Sequence, residues 1–388
     1  MKKILVMAMA VAAVTACNKN EPAPGVEGQK QQLNILTSVG TRAVVAGTTL
    51  PQGSAIGVHV TQGSGPAVAY EGQNYVAGGP NLQYGTNVRF DNDGDASVWV
   101  SQTAADAAQY LMIGAEEGTV YGYYPYTASI SSTVGDAATI PVDALLSGNI
   151  DLTSAAAGSK NYDASETDYL YYKPESTRAT VKSTSTTTAP LSMAHAMASV
   201  SFRMYVSADA PTVNNGDNKY YLMGYTIKNK TSRTLFVATD DASSKMKIAD
   251  GTITSTSTGG EITRTLNSTN GYALTRVAAA EASTSEKGDM VWFGNLTFPI
   301  ASIAHTQVNG VEVSDDIEII FSIKKGSTGT AANYVVPLVV DTTNGSDKWE
   351  AGKNYQYTIR VNAFLALGIE QVSVAPWVDV VGGDITIE

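Results

Sequence analysis

Cys17 is the single thiol of the 388-residue chain, and His59, His195 and His305 are its only imidazoles. Those side chains limit the covalent chemistry on offer. A nucleophilic triad needs a base held beside a serine or cysteine by a third group. The three histidines fall in three separate strand-like contexts, and no Gly-x-Ser-x-Gly turn occurs. No His/Cys grouping has the spacing of a zinc site. Asp91-Asn92-Asp93-Gly94-Asp95 begins like a calcium loop, with oxygen ligands at alternate positions, but Gln102 stands where such a loop wants a bidentate glutamate. A hairpin turn between Phe90 and Trp99, stabilised by Asx side chains, is the better reading. Paired carboxylates for glycoside hydrolysis meet only in the fold and leave no mark in the sequence. The residues point away from an enzyme and imply neither a metal nor a cofactor.

Two residues carry a different chemistry. Met1-Lys2-Lys3 precedes an apolar run, Ile4 to Ala16, and Val14-Thr15-Ala16-Cys17 resembles the lipobox that bacterial lipoprotein signal peptidase cuts before the cysteine. The run is too short to cross a ~30 Å hydrocarbon core, which takes about 20 helical residues. Residues 1–16 are therefore expected to be a signal peptide and Cys17 the lipidation site, with more than one acyl chain giving stable anchoring. Asn18 to Gly28, rich in Pro, Gly, Asn and Glu, reads as a flexible tether. With no second cysteine, the chain has no disulfide of its own.

Arg42 is the other residue. Lys30 to Val39 reads as a strand with Leu33, Ile35 and Leu36 apolar, and Gly40-Thr41-Arg42-Ala43 follows as a small exposed loop of the kind proteases reach. Cleavage between Arg42 and Ala43 would detach residues 17–42, taking lipid and strand together. Thr177-Arg178-Ala179 repeats the tripeptide, so Thr-Arg-Ala identifies nothing by itself. Arg42 is favoured by its place after a single strand.

The elements that must position these residues read as β. Twenty Tyr and 35 Gly, with many Thr, Ser and Val and 16% charged residues, suit strands and turns. A net charge of −11 argues against a nucleic-acid partner. Strand signals include Ile56 to Val60, Thr119 to Tyr124, Ala198 to Val206, Tyr220 to Lys228, Asp316 to Lys324, Tyr334 to Val340 and Tyr355 to Val361, at spacings that suit antiparallel sandwiches. The best helical patches, Thr103 to Gln109 and Ala278 to Ser283, are short. Ser176 to Pro190 carries almost nothing to bury and is expected to divide an N-terminal domain, 43–187, from a C-terminal domain, 188–388. A long hairpin loop inside one domain is the alternative. His195 reads as a structural histidine at that junction. Tyr169-Leu170-Tyr171-Tyr172 is either an exposed aromatic platform for a glycan or ordinary packing.

The end of the chain offers short apolar strands within 369–388. Ile369, Val372 and Val374 form the first, Val378 and Val380 the second, Ile385 and Ile387 the third. In the last two, apolar residues alternate with Asp379 and Thr386, as half-buried strands require. Such segments could fill a gap in another subunit by β-addition, or close their own domain.

Several blocks, in order along the chain, resemble the fimbrillin superfamily of Bacteroidales, the subunits of type V pili. They are the lipobox, Thr41-Arg42-Ala43, Gly57 after Gly53-Ser54-Ala55-Ile56, Tyr121-Gly122-Tyr123-Tyr124-Pro125-Tyr126, the His195 segment Leu191 to Val200, Trp349 to Ile359, and Trp377. The resemblance implies an all-β chain of two transthyretin-like antiparallel β-sandwich domains in tandem, with little helix. It implies a lipoprotein precursor carried to the outer membrane and cell surface, and removal of its first strand by an arginine-specific protease. A strand from another copy, or from a related pilin, then replaces the lost one. The alternative is a tip adhesin or a monomeric surface lipoprotein that binds a glycan or another host or bacterial ligand.

Overall fold

The computed structural model describes residues 31–39, 50, 52–62, 74–76, 87–92, 99–101, 109–131, 135–230, 244–255, 260–267, 270–279, 281–362 and 367–376. Among the described residues the regular structure is almost wholly strand, arranged as tandem β-sandwiches.

In the first sandwich the main sheet runs Asn34–Val39, Thr188–His195, Leu170–Tyr172, Gly118–Tyr124, Ala55–Gln62, Val88–Asn92, Trp99–Ser101, with Thr180–Val181 also paired to Gly118–Tyr124. A smaller sheet, Gln31–Gln32, Gln109–Ile113 and Asn74–Val76, lies beside it. Val88 and Phe90 are buried while Arg89 and Asp91 between them are only half so, the alternation expected of a strand with one wet face. Ala55–Gln62 is different: it is central, and both of its faces are covered. Gly57 permits that, because a Cβ there would overlap the ring of Tyr123.

The second sandwich sets a seven-stranded sheet against a six-stranded one. The six-stranded sheet runs Lys160–Asn161, Trp292–Thr297, Ala198–Val206, Lys353–Val361, Leu367–Pro376, with Thr275–Arg276 also paired to Ala198–Val206. Ala198–Val206 is buried at every position and lies parallel to Lys353–Val361. Near-continuous burial and parallel pairing go together, since neither face meets water. Between the sheets Phe202 sits at the centre of an aromatic cluster, 5.1 Å from Tyr225, 5.5 Å from Phe321 and 5.7 Å from Tyr357 between ring centroids.

The two sandwiches are threaded through each other. Ser147–Ile150 and Lys160–Asn161 pair with Glu261–Leu266 and Trp292–Thr297 of the second sandwich before the chain returns to the first sheet at Leu170–Tyr172. Ser176 to Pro190 lies within the first sandwich: Thr180–Val181 pairs with Thr119 and Gly118, and the chain turns at Lys182 to Thr186 into Thr188–His195. The change of sheet falls at Ala196-Met197, beyond the 187/188 division. Hydroxyl-rich sequence looks like linker, but Thr is a good strand residue, and Val181, Ala189, Leu191 and Met193 supply the buried row. Within Ala278 to Ser283, the described residues 278–279 and 281–283 are not helical. A short helix spans Thr284–Asp289, and Ser283 caps it in a capping box with Glu286. Of the other expected helical patch, Gln109 begins a strand and the remainder lies outside the described residues.

Candidate functional site

The first strand, Asn34–Val39, occupies the edge of the main sheet. It runs parallel to Thr188–His195, in register from Asn34 opposite Thr188 to Val39 opposite Met193. Leu33, Ile35 and Val39 point into the core and are 1%, 2% and 3% exposed, whereas Leu36 on the outer row is 46% exposed. Leu33, Ile35 and Val39 belong to one core cluster with Ala189, Leu191, Met193, Val58 and Phe90. The strand is also bonded at its start: Leu33 N–H donates to the Leu111 carbonyl and Asn34 N–H to the Thr187 carbonyl, both at 2.8 Å. On its other flank Trp99 Nε1–H donates to Thr37 Oγ1 at 2.7 Å. Three buried aliphatic side chains, at about 1.5–3 kcal/mol each, give this strand a hold on the order of 5–9 kcal/mol as an upper estimate. Removing it would expose one edge of Thr188–His195 and an apolar slot.

Cys17, Arg42 and Ala43 lie outside the described residues, as do Val378, Val380, Ile385 and Ile387. Ile369, Val372 and Val374 lie on Leu367–Pro376, which pairs antiparallel with Lys353–Val361 of its own domain. A bulge opposite Thr358/Ile359 brings Ile369 into phase with Val372 and Val374, and all three pack against the second core.

Arg178, the second Thr-Arg-Ala arginine, is held at the junction of the sandwiches. Its guanidinium lies 4.3 Å from the Tyr121 ring centroid, and Nη2 donates to the Ala249 carbonyl at 2.6 Å. The backbone on its far side is tied as well, with Val120 N–H donating to the Ala179 carbonyl at 3.0 Å. Burial, Asp136 and their mutual hydrogen bond push the Tyr121 hydroxyl up to about 12, so it stays neutral. The aromatic Tyr121 to Tyr126 segment thus builds the junction core, with Tyr121 and Tyr123 packed among Met197, Met246 and Phe298.

Three acids between the sandwiches are buried, and each has its own partner. Asp163 accepts from the backbone of Asn149 and of Ser165. Asp168 holds His195, whose Nδ1 lies 2.8 and 3.0 Å from the two carboxylate oxygens. Glu166 Oε1 accepts from Arg264 Nη2 at 2.6 Å and Nε at 3.0 Å, and its Oε2 from Leu296 N–H at 2.6 Å. Burial pushes the Glu166 carboxyl up to about 7 even against Arg264. These contacts join loops to sheets, the work of staples. His59 meets Tyr121 edge-on and His305 lies 3.8 Å from Glu312, so the histidines remain apart. Asp91 is paired with Arg89 at 2.7 Å, and residues 93–95 of the acidic turn lie outside the described residues. Tyr169 and Tyr172 are buried and Tyr171 packs over Gly251, which is core packing rather than an open platform.

Sequence reading missed Thr188–His195 as the strand that receives the first one, and Trp99 as its lateral neighbour. The alternation of Ala189, Leu191 and Met193 was a legible signal for the former. No local signal marks Trp99, because the contact spans the closure of the sheet.

The chain is thus a tandem β-sandwich whose strand Asn34–Val39 fills an edge position of the main sheet. The chain belongs to the fimbrillin-like family, whose model matches residues 41–377. It is thereby a pilus-type protein of the cell surface that associates with its own kind or with related pilins. Among solved structures it is similar to a protein provisionally assigned to cell adhesion from Bacteroides ovatus ATCC 8483, with a TM-score of 0.51 and 14% identity over 90% of this chain and 99% of that one. A fimbrial protein from Bacteroides vulgatus ATCC 8482 aligns with a TM-score of 0.46 and 12% identity over 90% of this chain and 100% of that one. No curated protein sequence matches.

Proposed function

We propose that the protein is a structural subunit of a cell-surface pilus. It is exported as a lipoprotein anchored at Cys17, matured by an arginine-specific protease that cuts between Arg42 and Ala43, and polymerised by strand exchange. The observation that carries this reading is the position of Asn34–Val39: an edge strand, paired on one side only, that supplies Leu33, Ile35 and Val39 to the core a few residues before Arg42. Cutting there would remove lipid and strand together and leave a preformed slot for β-addition. Leu367–Pro376 is engaged in its own domain, so the donor role falls to the segment beyond it, with either Val378 and Val380 or Ile385 and Ile387 as the inward side chains.

N-terminal sequencing of protein recovered from the cell surface tests the maturation step. Mature subunits should begin at Ala43, and Arg42→Ala should leave lipidated precursor and no SDS-resistant ladder. A ladder unchanged in the Arg42→Ala strain would refute cleavage at this site.

A further inference from the structure

Trp99 begins the strand at the opposite end of the main sheet from Asn34–Val39, where it pairs with Asn92. The sheet curls until its two end strands touch. There the Trp99 indole, 5% exposed, donates to Thr37 Oγ1 at 2.7 Å. Thr37 stands opposite Leu191 on the inward row of the first strand, between Ile35 and Val39. The other members of that row are aliphatic and buried. The slot therefore has three apolar seats and one polar one, and the polar seat is a hydrogen-bond donor supplied by the opposite wall.

A strand that leaves takes the acceptor with it. A replacement that put an aliphatic side chain in the Thr37 seat would cover the indole N–H without satisfying it. Covering an unpaired donor costs more than a good hydrogen bond gains, because water is lost and nothing replaces it. Resting on the strand-exchange reading above, we propose that Trp99 is a specificity-determining residue of the slot. It selects a strand from another subunit with aliphatic side chains at the first, second and fourth inward positions, and a hydrogen-bond acceptor such as Thr, Ser, Asn or Asp at the third. The aliphatic seats set affinity and register; the indole discriminates among strands that would otherwise fill them equally well.

The test uses protein cut after Arg42 and freed of its first strand by gel filtration in mild urea. The probes are a synthetic Gln32–Val39 peptide and its Thr37→Val analogue, which keeps the shape and loses the acceptor. The unmodified peptide should bind wild-type protein about tenfold more tightly than the analogue, the scale of one unsatisfied buried donor. In Trp99→Phe protein the two peptides should bind alike. In wild-type protein the indole N–H resonance of Trp99 should move on binding the Thr peptide and not the Val one, a readout that holds even if the Phe variant folds poorly. Equal binding of both peptides to wild-type protein, with no difference in the indole signal, overturns the selection proposal and leaves strand exchange standing. Binding of neither peptide removes the slot itself, and with it both proposals.

Discussion

Glu166 and Arg264 meet at 2.6 Å with both side chains closed to solvent, although one stands on the loop leading into the first sheet and the other in the second sandwich. Removing one member of a buried pair strands the other without a partner, at a cost of about 3–5 kcal/mol. Glu166→Ala should therefore lower the urea midpoint of the soluble chain markedly. The double variant Glu166→Leu with Arg264→Met should recover most of the loss, because no charge is left buried. A single variant as stable as the parent would show that the pair is not a staple.

The same carboxyl predicts a pH dependence. Burial raises its folded-state value to about 7, with Arg264 opposing that shift. A raised folded value means that the folded protein holds the proton more tightly than the unfolded chain. Stability from this group is then complete below about pH 4.5, the ordinary glutamate range, and is lost as pH rises through about 7. Urea midpoints across that window should decline more steeply for the parent than for the Leu/Met double variant. Parallel slopes would remove Glu166 as the source.

Limited proteolysis separates the two Thr-Arg-Ala sites. Arg178 is stacked on Tyr121 and bonded to the Ala249 carbonyl, so it cannot enter a protease pocket without local unfolding. Brief trypsin treatment of folded protein should yield a fragment beginning at Ala43 and none beginning at Ala179. Arg178→Ala should lower stability by about 1–2 kcal/mol, through loss of the cation–π contact and an unpaired carbonyl.

Truncation separates the closing strand from the proposed donor. Deleting residues 377–388 should leave the thermal midpoint nearly unchanged, because Leu367–Pro376 still pairs with Lys353–Val361, while processed subunits should stay monomeric. Deleting 367–388 also strips half-buried Ile369, Val372 and Val374 from the core, and should cost on the order of 2–5 kcal/mol. Undiminished polymerisation after the shorter deletion would assign the donor elsewhere.

The strands were legible where apolar residues alternate or run on. Ile56 to Val60, Thr119 to Tyr124, Tyr220 to Lys228 and Tyr355 to Val361 all lie within observed strands. The order of those strands was not legible, because pairing Ile35 with Ala189 or Val200 with Tyr355 is a long-range choice with no local signature. The Ser/Thr-rich stretch misled for a related reason: composition reports how much a segment can bury, not which neighbour takes up its backbone bonds. Of the candidate site, the strand before Arg42 was visible from Leu33 and Ile35. The Trp99 contact required the curl of the sheet.

The parallel pairing of Asn34–Val39 with Thr188–His195 has a kinetic meaning. Parallel neighbours are never joined by a tight turn, and this first strand reaches its partner only through the long stretch of chain that follows Arg42. That covalent link keeps the strand at a high effective concentration beside its slot, so each dissociation is followed by rapid return. A single peptide-bond cleavage would abolish the tether without altering one contact. The same strand would then be an ordinary bimolecular ligand, released once by dilution at the cell surface, and the slot would go to whichever strand is held nearest.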